Sequence, residues 1–319
     1  MRPSPADRTY YDRPVIKEPV WIWSVPTYFY AGGTAGAASL LAAVATYRDG
    51  LEGLVRACRW LAAAGDTVGA GLLIIDLGRP KRFLNMLRVF RPTSPMSVGS
   101  WILALSSGLS TLSAVTARRE DSLGRLGDAA GQLAGLLGMP LAGYTAVLVS
   151  NTAVPAWQGA RRTLPLLFAA SGVAGAASLL DLLDLDVREA AVVRVYGVAG
   201  RLGELLAGQA LEREVGQVAL TARPYHEGLS GSLWKAAKLA SAVSLLISLV
   251  PGSSRRQRAL RGLLGTAGSL SLRFAVFHAG RRSARDPRAT FQQHRAGRGA
   301  AEVTYAAAVT GPGGRRATD

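Results

Sequence analysis

Apolar residues in this chain come in about eight blocks of about 20 residues, and arginines crowd the gaps between them. A helix rises 1.5 Å per residue, so a block of that length crosses about 30 Å of hydrocarbon. A backbone in lipid must satisfy its own hydrogen bonds, which favours the helix. The first block runs from Trp21 to about Tyr47, and the others lie near 59–77, 97–117, 132–151, 164–183, 191–210, 234–250 and 260–279. The pattern predicts an all-α polytopic membrane protein of about eight transmembrane helices packed as two four-helix bundles. The division is then an N-terminal interfacial segment over 1–25, a helix bundle over 26–280 and a basic tail over 281–319.

Lys and Arg number 37 against 21 Asp and Glu, a net charge of +16 that in a soluble chain would direct attention to nucleic acid. The basic residues flank apolar blocks, where anionic headgroups and the positive-inside bias select them. The termini and even-numbered gaps hold the larger share, with Arg281, Arg282, Arg285 and Arg288 crowding the start of the tail. Both termini are therefore expected in the cytoplasm, and the chain in the cell membrane. Residues 1–20 contain four prolines and seven charges and no apolar run of the signal-peptide kind.

Cys58 is the single cysteine, too few for an internal disulfide or for an Fe–S cluster held by this chain. Of His226, His278 and His294, only His278 lies near the end of an apolar block, so the paired axial histidines of a membrane haem are also missing. Electron carriers other than a diffusible one are expected in another chain. Small residues recur at helical spacing in Gly32-Gly33-Thr34-Ala35-Gly36 and Gly172-Val173-Ala174-Gly175-Ala176-Ala177, which suits close helix packing.

Ionisable groups inside apolar blocks are costly, so each is a functional candidate as well as a possible packing contact. Asp66 lies in the middle of the second block and Asp76 closes it, about 15 Å further along the helix and about 80° round it. Asp181 and Asp184 end the fifth block, Arg201 and Glu204 share a face of the sixth at a spacing that permits an internal ion pair, and Arg273 lies in the eighth. Asp66, Arg201 and Glu204 are the residues from which a proton path would be built. After Asp76-Leu77-Gly78-Arg79-Pro80, basic and apolar residues alternate through Phe90, as in an amphipathic helix lying flat at the interface. Asp76 beside Arg79 adds a proton-active carboxylate there. Tyr144, in the fourth block, has a hydroxyl that needs either a ligand or a helix backbone.

Tyr10 to Trp21, the Ala31-Gly32-Gly33-Thr34-Ala35-Gly36 run, and Asp76-Leu77-Gly78-Arg79-Pro80 through Pro92-Thr93-Ser94-Pro95-Met96-Ser97-Val98-Gly99-Ser100-Trp101 resemble the NrfD/PsrC family. These are the membrane subunits of polysulfide-reductase-like molybdoenzyme complexes. The likeness continues more loosely through Tyr144–Leu148 and Asn151–Trp157 and returns at Arg273–Phe277 and Ser283–Arg288. It implies an eight-helix bundle without haem that binds quinone or quinol, of the menaquinone kind, among the first four helices, about 26–151. A four-cluster Fe–S protein and a molybdopterin catalytic subunit would be its partners. It also implies that Tyr144 helps to hold the quinone. Where relatives carry Asn and His at the start of the first helix, this chain has Pro26-Thr27-Tyr28-Phe29-Tyr30, so Thr27, Tyr28 and Tyr30 are the substitutes. Asp76 and Arg79 would manage the protons. The alternatives are a passive anchor for catalytic subunits and a secondary transporter.

Overall fold

The computed structural model describes residues 15–78, 83–250 and 254–296; Arg79 and His294's side chain fall outside the described parts. Among the described residues the secondary structure is helical throughout, and eight long helices coincide with the eight apolar blocks. They are α1 (Ser24–Ala45), α2 (Glu52–Leu77), α3 (Pro95–Val115), α4 (Ser122–Ser150), α6 (Leu164–Leu180), α7 (Val187–Val215), α9 (Gly228–Leu249) and α10 (Arg255–Ala284). Three short helices join or follow them: α5 (Pro155–Gln158), α8 (Ala219–His226) and α11 (Pro287–Arg295).

Five of the long helices, α1, α2, α3, α4 and α9, are long and apolar enough to cross a membrane. Helix α6 is apolar but only 17 residues long. Helices α7 and α10 carry more charge, and its placement explains how they fit. Arg201, Glu204, Arg261 and Arg273 are buried, whereas Val195, Leu202 and Leu206 of α7 and Leu260 and Leu263 of α10 are exposed. Charge faces the bundle and aliphatic side chains face outward, as lipid requires.

Helices α1 to α4 form one group and α6, α7, α9 and α10 another, joined where α1 and α4 pack on α6 and α1 meets α10. Helix α1 is central, with 83% of its apolar window buried. Lipid tails supply no hydrophobic drive between helices, so close van der Waals approach must hold them, and the glycine runs permit it. Gly36 of α1 and Gly138 of α4 meet so closely that a Cβ on Gly138 would stand 2.2 Å from the Gly36 carbonyl oxygen.

Caps fix the helix ends. Ser94 accepts a hydrogen bond from Ser97 N at the start of α3, with Pro95 in the first turn, and capping boxes open α7 (Asp186 with Glu189) and α10 (Ser254 with Gln257). Gly78, at φ 64°, closes α2 in the left-handed conformation.

Alternation of the long helices brings the start of α1 and the end of α10 to one face of the protein, called here the terminal face. Residues 15–23 cross it as an N-terminal strap. Glu18 accepts hydrogen bonds from Arg281 Nε (2.6 Å) and from Arg285 Nε and Nη2 (2.6 and 2.8 Å), and Trp21 stacks on Trp157 at 5.8 Å. These contacts tie the strap to the second helix group. Helix α10 continues through Ala284 and α11 packs beside α8, where Leu220 N donates to Gln292. Ordered structure thus extends through Arg295, within the segment that sequence alone reads as an aperiodic tail. The expected amphipathic surface helix after Asp76 is, among described residues, a single 3-10 turn at Leu84–Leu87. The next stretch is held by side chains instead: Ser97 Oγ donates to Val89 O and accepts from Arg91 N, and Ser100 Oγ donates to Met86 O.

Candidate functional site

At the terminal-face end of the first group, α1, α2, α3 and α4 diverge around a cavity of about 350 Å³. Trp21 of the strap and Met86 of the 83–94 segment help to close it, and its walls are mostly apolar. The polar groups that enter it are Tyr28 of α1, Asp76 of α2, Ser100 of α3 and Tyr144 of α4. A largely apolar pocket of this size with a few convergent polar groups is what small-molecule sites share.

Each polar group has a local reason for its position. Tyr144 lies in a notch on α3. A Cβ at Gly99 would stand 1.6 Å from its ring, so only glycine admits the phenol there. Tyr28 lies on Gly69 of α2, where a Cβ would approach its ring to 3.2 Å. Asp76 sits in the last turn of α2, where the helix dipole disfavours a carboxylate. Compensation comes from the strap and α1: Ile22 N (3.2 Å) and Ser24 Oγ (3.4 Å) both donate to its Oδ1. The strap's backbone and the cavity's carboxylate are therefore one unit. Among the described residues, no protein group takes a hydrogen bond with the hydroxyl of Tyr28 or of Tyr144.

Three sequence candidates, Tyr28, Asp76 and Tyr144, thus meet in one cavity. Thr27 and Tyr30 do not join them. Thr27 Oγ1 donates to Trp23 O of its own helix at 2.9 Å, and Tyr30 points to the other side of α1, against Gly175 of α6. Arg79 lies outside the described residues. Trp21, Met86, Met96, Gly99 and Ser100 belong to the cavity without having been singled out by chemistry. Most of them fall in the stretches that carry the family resemblance.

The three proton-path candidates are split between the two helix groups. Asp66 is fully buried in the first group and accepts from Ser106 and Ser110 Oγ of α3, each at 2.9 Å. Arg201 and Glu204 lie in the second group, and the ion pair that their spacing permits is replaced by contacts to other helices. Arg201 donates to Ser178 (3.0 Å), Ser248 (3.3 Å) and Asp181 (3.4 Å), while Asp181 also receives the guanidinium of Arg261 through two nitrogens. Glu204 accepts from Ser241 and Ser269. Arg273 lies 3.8 Å over the Phe168 ring and donates to Phe168 O at 2.8 Å. Arg201 and Glu204 sit at i, i+3 on one side of α7, and their partners on α6, α9 and α10 draw them in slightly different directions.

The fold defines a polytopic helical membrane protein, with a largely apolar cavity at the terminal-face end of its first helix group. The model of the polysulfide reductase NrfD family matches residues 9–285, and the chain belongs to that family. No curated protein matches it significantly.

Proposed function

We propose that this chain is the quinone-reactive subunit of an oxidoreductase complex in the cytoplasmic membrane, with quinone or quinol, of menaquinone type, bound in the cavity between α1 and α4. The observation that carries this reading is the meeting of two phenols, a serine and a carboxylate in a largely apolar pocket at the terminal-face end of α1 to α4. A quinone needs those features: flat apolar walls for the ring, donors for its carbonyl oxygens and a proton-exchanging group nearby.

Oxidation of one quinol releases two electrons and two protons. In this reading the electrons pass to a four-cluster Fe–S subunit docked at the terminal face, and from it to a molybdopterin catalytic subunit. Reduction of quinone runs the same steps in reverse. Tyr28 and Tyr144 hydrogen-bond the quinone oxygens, and Asp76 takes up or returns a proton at the mouth. Ile22 N and Ser24 hold that carboxylate in place, and Arg79, three residues on in the sequence, is the cation assigned to act with it. Both termini and the docking face lie on the cytoplasmic side, in line with the distribution of Arg.

Asp76→Asn keeps an oxygen for Ile22 N and Ser24 but cannot exchange protons. The variant is expected to assemble and to reduce artificial dyes at the catalytic subunit while losing quinone-coupled turnover by about 100-fold or more. Full quinone-coupled activity in Asp76→Asn removes Asp76 from the mechanism. A wild-type complex that is active with dyes but has no quinone activity or inhibitor sensitivity is a passive anchor.

A further inference from the structure

A second pocket, open and of about 200 Å³, lies at the other end of the first helix group, on the face opposite the termini. Arg48 and Asp49 reach it from the turn after α1, Glu52, Arg56 and Arg59 from the first turns of α2, and Asp128 from the first turns of α4. Two of its three carboxylates are already engaged: Asp128 pairs with Arg59 Nη2 at 2.8 Å, and Glu52 accepts from Gly50 N at 3.1 Å. Arg48, Asp49 and Arg56 have no side-chain hydrogen bond or ion pair among the described residues. Arg59 is only 6% exposed, and its Nε is buried without a protein partner. Gly131 of α4 leaves space beside that nitrogen: a Cβ there would stand 3.4 Å from Nε and 2.6 Å from Ser113 Oγ, which is likewise buried and unpartnered. Guanidinium nitrogens donate and cannot accept, so the groups left over are donors from three arginines and one carboxylate. They suit an anion that carries a cation a few bonds away.

Depth in the membrane narrows the choice of ligand. Helix α1 has 22 residues and is about 33 Å long, enough to cross the hydrocarbon, so a pocket at its far end sits at the headgroup level of that leaflet. On the bilayer side of the pocket the outward surface turns apolar. Val44, Trp60 and Val115 are all more than half exposed, and each stands within two residues of a side chain that lines the pocket, Ala45, Arg59 and Ala117. Trp60 also lies one turn along α2 from Arg56, at the boundary between headgroups and hydrocarbon that tryptophan favours. A phospholipid has the same order of chemistry, with polar charges outside and chains within.

We infer that this pocket binds the headgroup of a phospholipid of the phosphatidylethanolamine class. Its phosphate meets Arg48, Arg56 and Nε of Arg59, its ammonium meets Asp49, and its chains descend past Trp60 and Val115. An anionic headgroup such as glycerol phosphate satisfies the arginines but leaves Asp49 without a cation. The lipid fastens the ends of α1, α2 and α4 together on the side away from the quinone cavity, and the assignment stands independently of the quinone reading.

The test uses the complex purified in detergent, stripped of lipid and titrated with phospholipids of one acyl composition, with bound lipid counted by native mass spectrometry. The wild type is expected to take up one phosphatidylethanolamine, and to bind phosphatidylglycerol about tenfold more weakly. Arg59→Gln and Arg56→Gln are each expected to weaken phosphatidylethanolamine binding by about tenfold; Arg56 is not buried, so its variant keeps the test valid if Arg59→Gln fails to fold. Asp49→Asn should still bind phospholipid but no longer prefer the ethanolamine headgroup. Glycerophosphoethanolamine, the headgroup without its chains, should bind more weakly than the lipid by about 100-fold or more. Equal uptake of both lipids by the wild type and Arg56→Gln means an annular lipid only and overturns the assignment. Tighter binding of phosphatidylglycerol, or of the chainless headgroup, overturns it equally.

Discussion

Gly99→Ala is the change whose consequence follows most directly from the geometry. The added methyl would stand 1.6 Å from the Tyr144 ring and 2.0 Å from its hydroxyl oxygen, far inside any real carbon contact. Tyr144 must therefore leave the notch, which costs about 1–3 kcal/mol of overpacking if it moves only part of the way. Its hydroxyl then no longer meets the quinone oxygen, and a lost hydrogen bond of this kind weakens binding by about 0.5–1.5 kcal/mol, up to about tenfold in Kd. Tyr144→Phe removes the same bond without displacing the ring and is expected to match it. Because both changes disable one hydroxyl, the double variant should be little worse than Gly99→Ala alone. Trp21 lines the cavity, so quenching of tryptophan fluorescence by a menaquinone analogue reads the affinity. Wild-type affinity in Gly99→Ala, or strictly additive losses in the double variant, would refute the role given to Tyr144.

Two further perturbations probe the frame around the site. The hydrogen bond from Arg285 is the largest influence on Glu18; burial opposes it, and the hydrogen bond from Arg281 and both positive charges add to it, so the carboxyl lies below the ordinary glutamate range. The clasp is thus fully present above about pH 4.3 and lost as the pH falls below it through the depressed value, at about 0.2–1 kcal/mol per exposed pair. Glu18→Gln should speed amide exchange over residues 15–23 at neutral pH, and the difference from the wild type should shrink as the pH falls through the depressed value; equal rates at neutral pH would show that the stacking of Trp21 alone holds the strap. Asp181→Ala leaves Arg201 and Arg261 buried without their carboxylate and should cost about 3–5 kcal/mol, seen as a lower unfolding midpoint in detergent; an unchanged midpoint would mean that water replaces the carboxylate.

Hydropathy reveals the helices because lipid imposes it on every outward surface, but it misses their polar ends. The block at 132–151 is the apolar part of α4, which begins at Ser122; its first turns carry Asp128 into the surface pocket around Arg59. The block at 260–279 likewise belongs to a helix running from Arg255 to Ala284, whose arginines face inward or lie at its ends. The 3-10 turn after Asp76 departs from the amphipathic pattern because that segment is short and is tethered to Ser97 and Ser100, contacts that no periodicity encodes.

Within the site, chemistry made Asp76, Tyr28 and Tyr144 legible one by one. Their convergence depends on the crossings of α1 with α2 and α4, and Gly99 acquires meaning only once Tyr144 lies against it. Tyr28 and Tyr30 look equivalent in the sequence, but two residues along a helix turn a side chain by about 200°, so one faces the cavity and the other faces α6. Arg201 and Glu204 at i, i+3 read as a pair in the sequence, whereas the groups they bond in the fold are Asp181 and the serines of α9 and α10.

The claim that a quinone occupies the cavity between α1 and α4 is tested most directly by photolabelling the membrane-embedded complex with an azido-menaquinone and mapping the modified peptides. Label is expected in the strap and first turns of α1 around Trp21 and Tyr28, at the end of α2 near Asp76, and on α3 and α4 near Gly99 and Tyr144. Excess unlabelled menaquinone should remove it. Saturable label confined to α6, α7, α9 or α10, or label in the cavity that menaquinone does not displace, would contradict it.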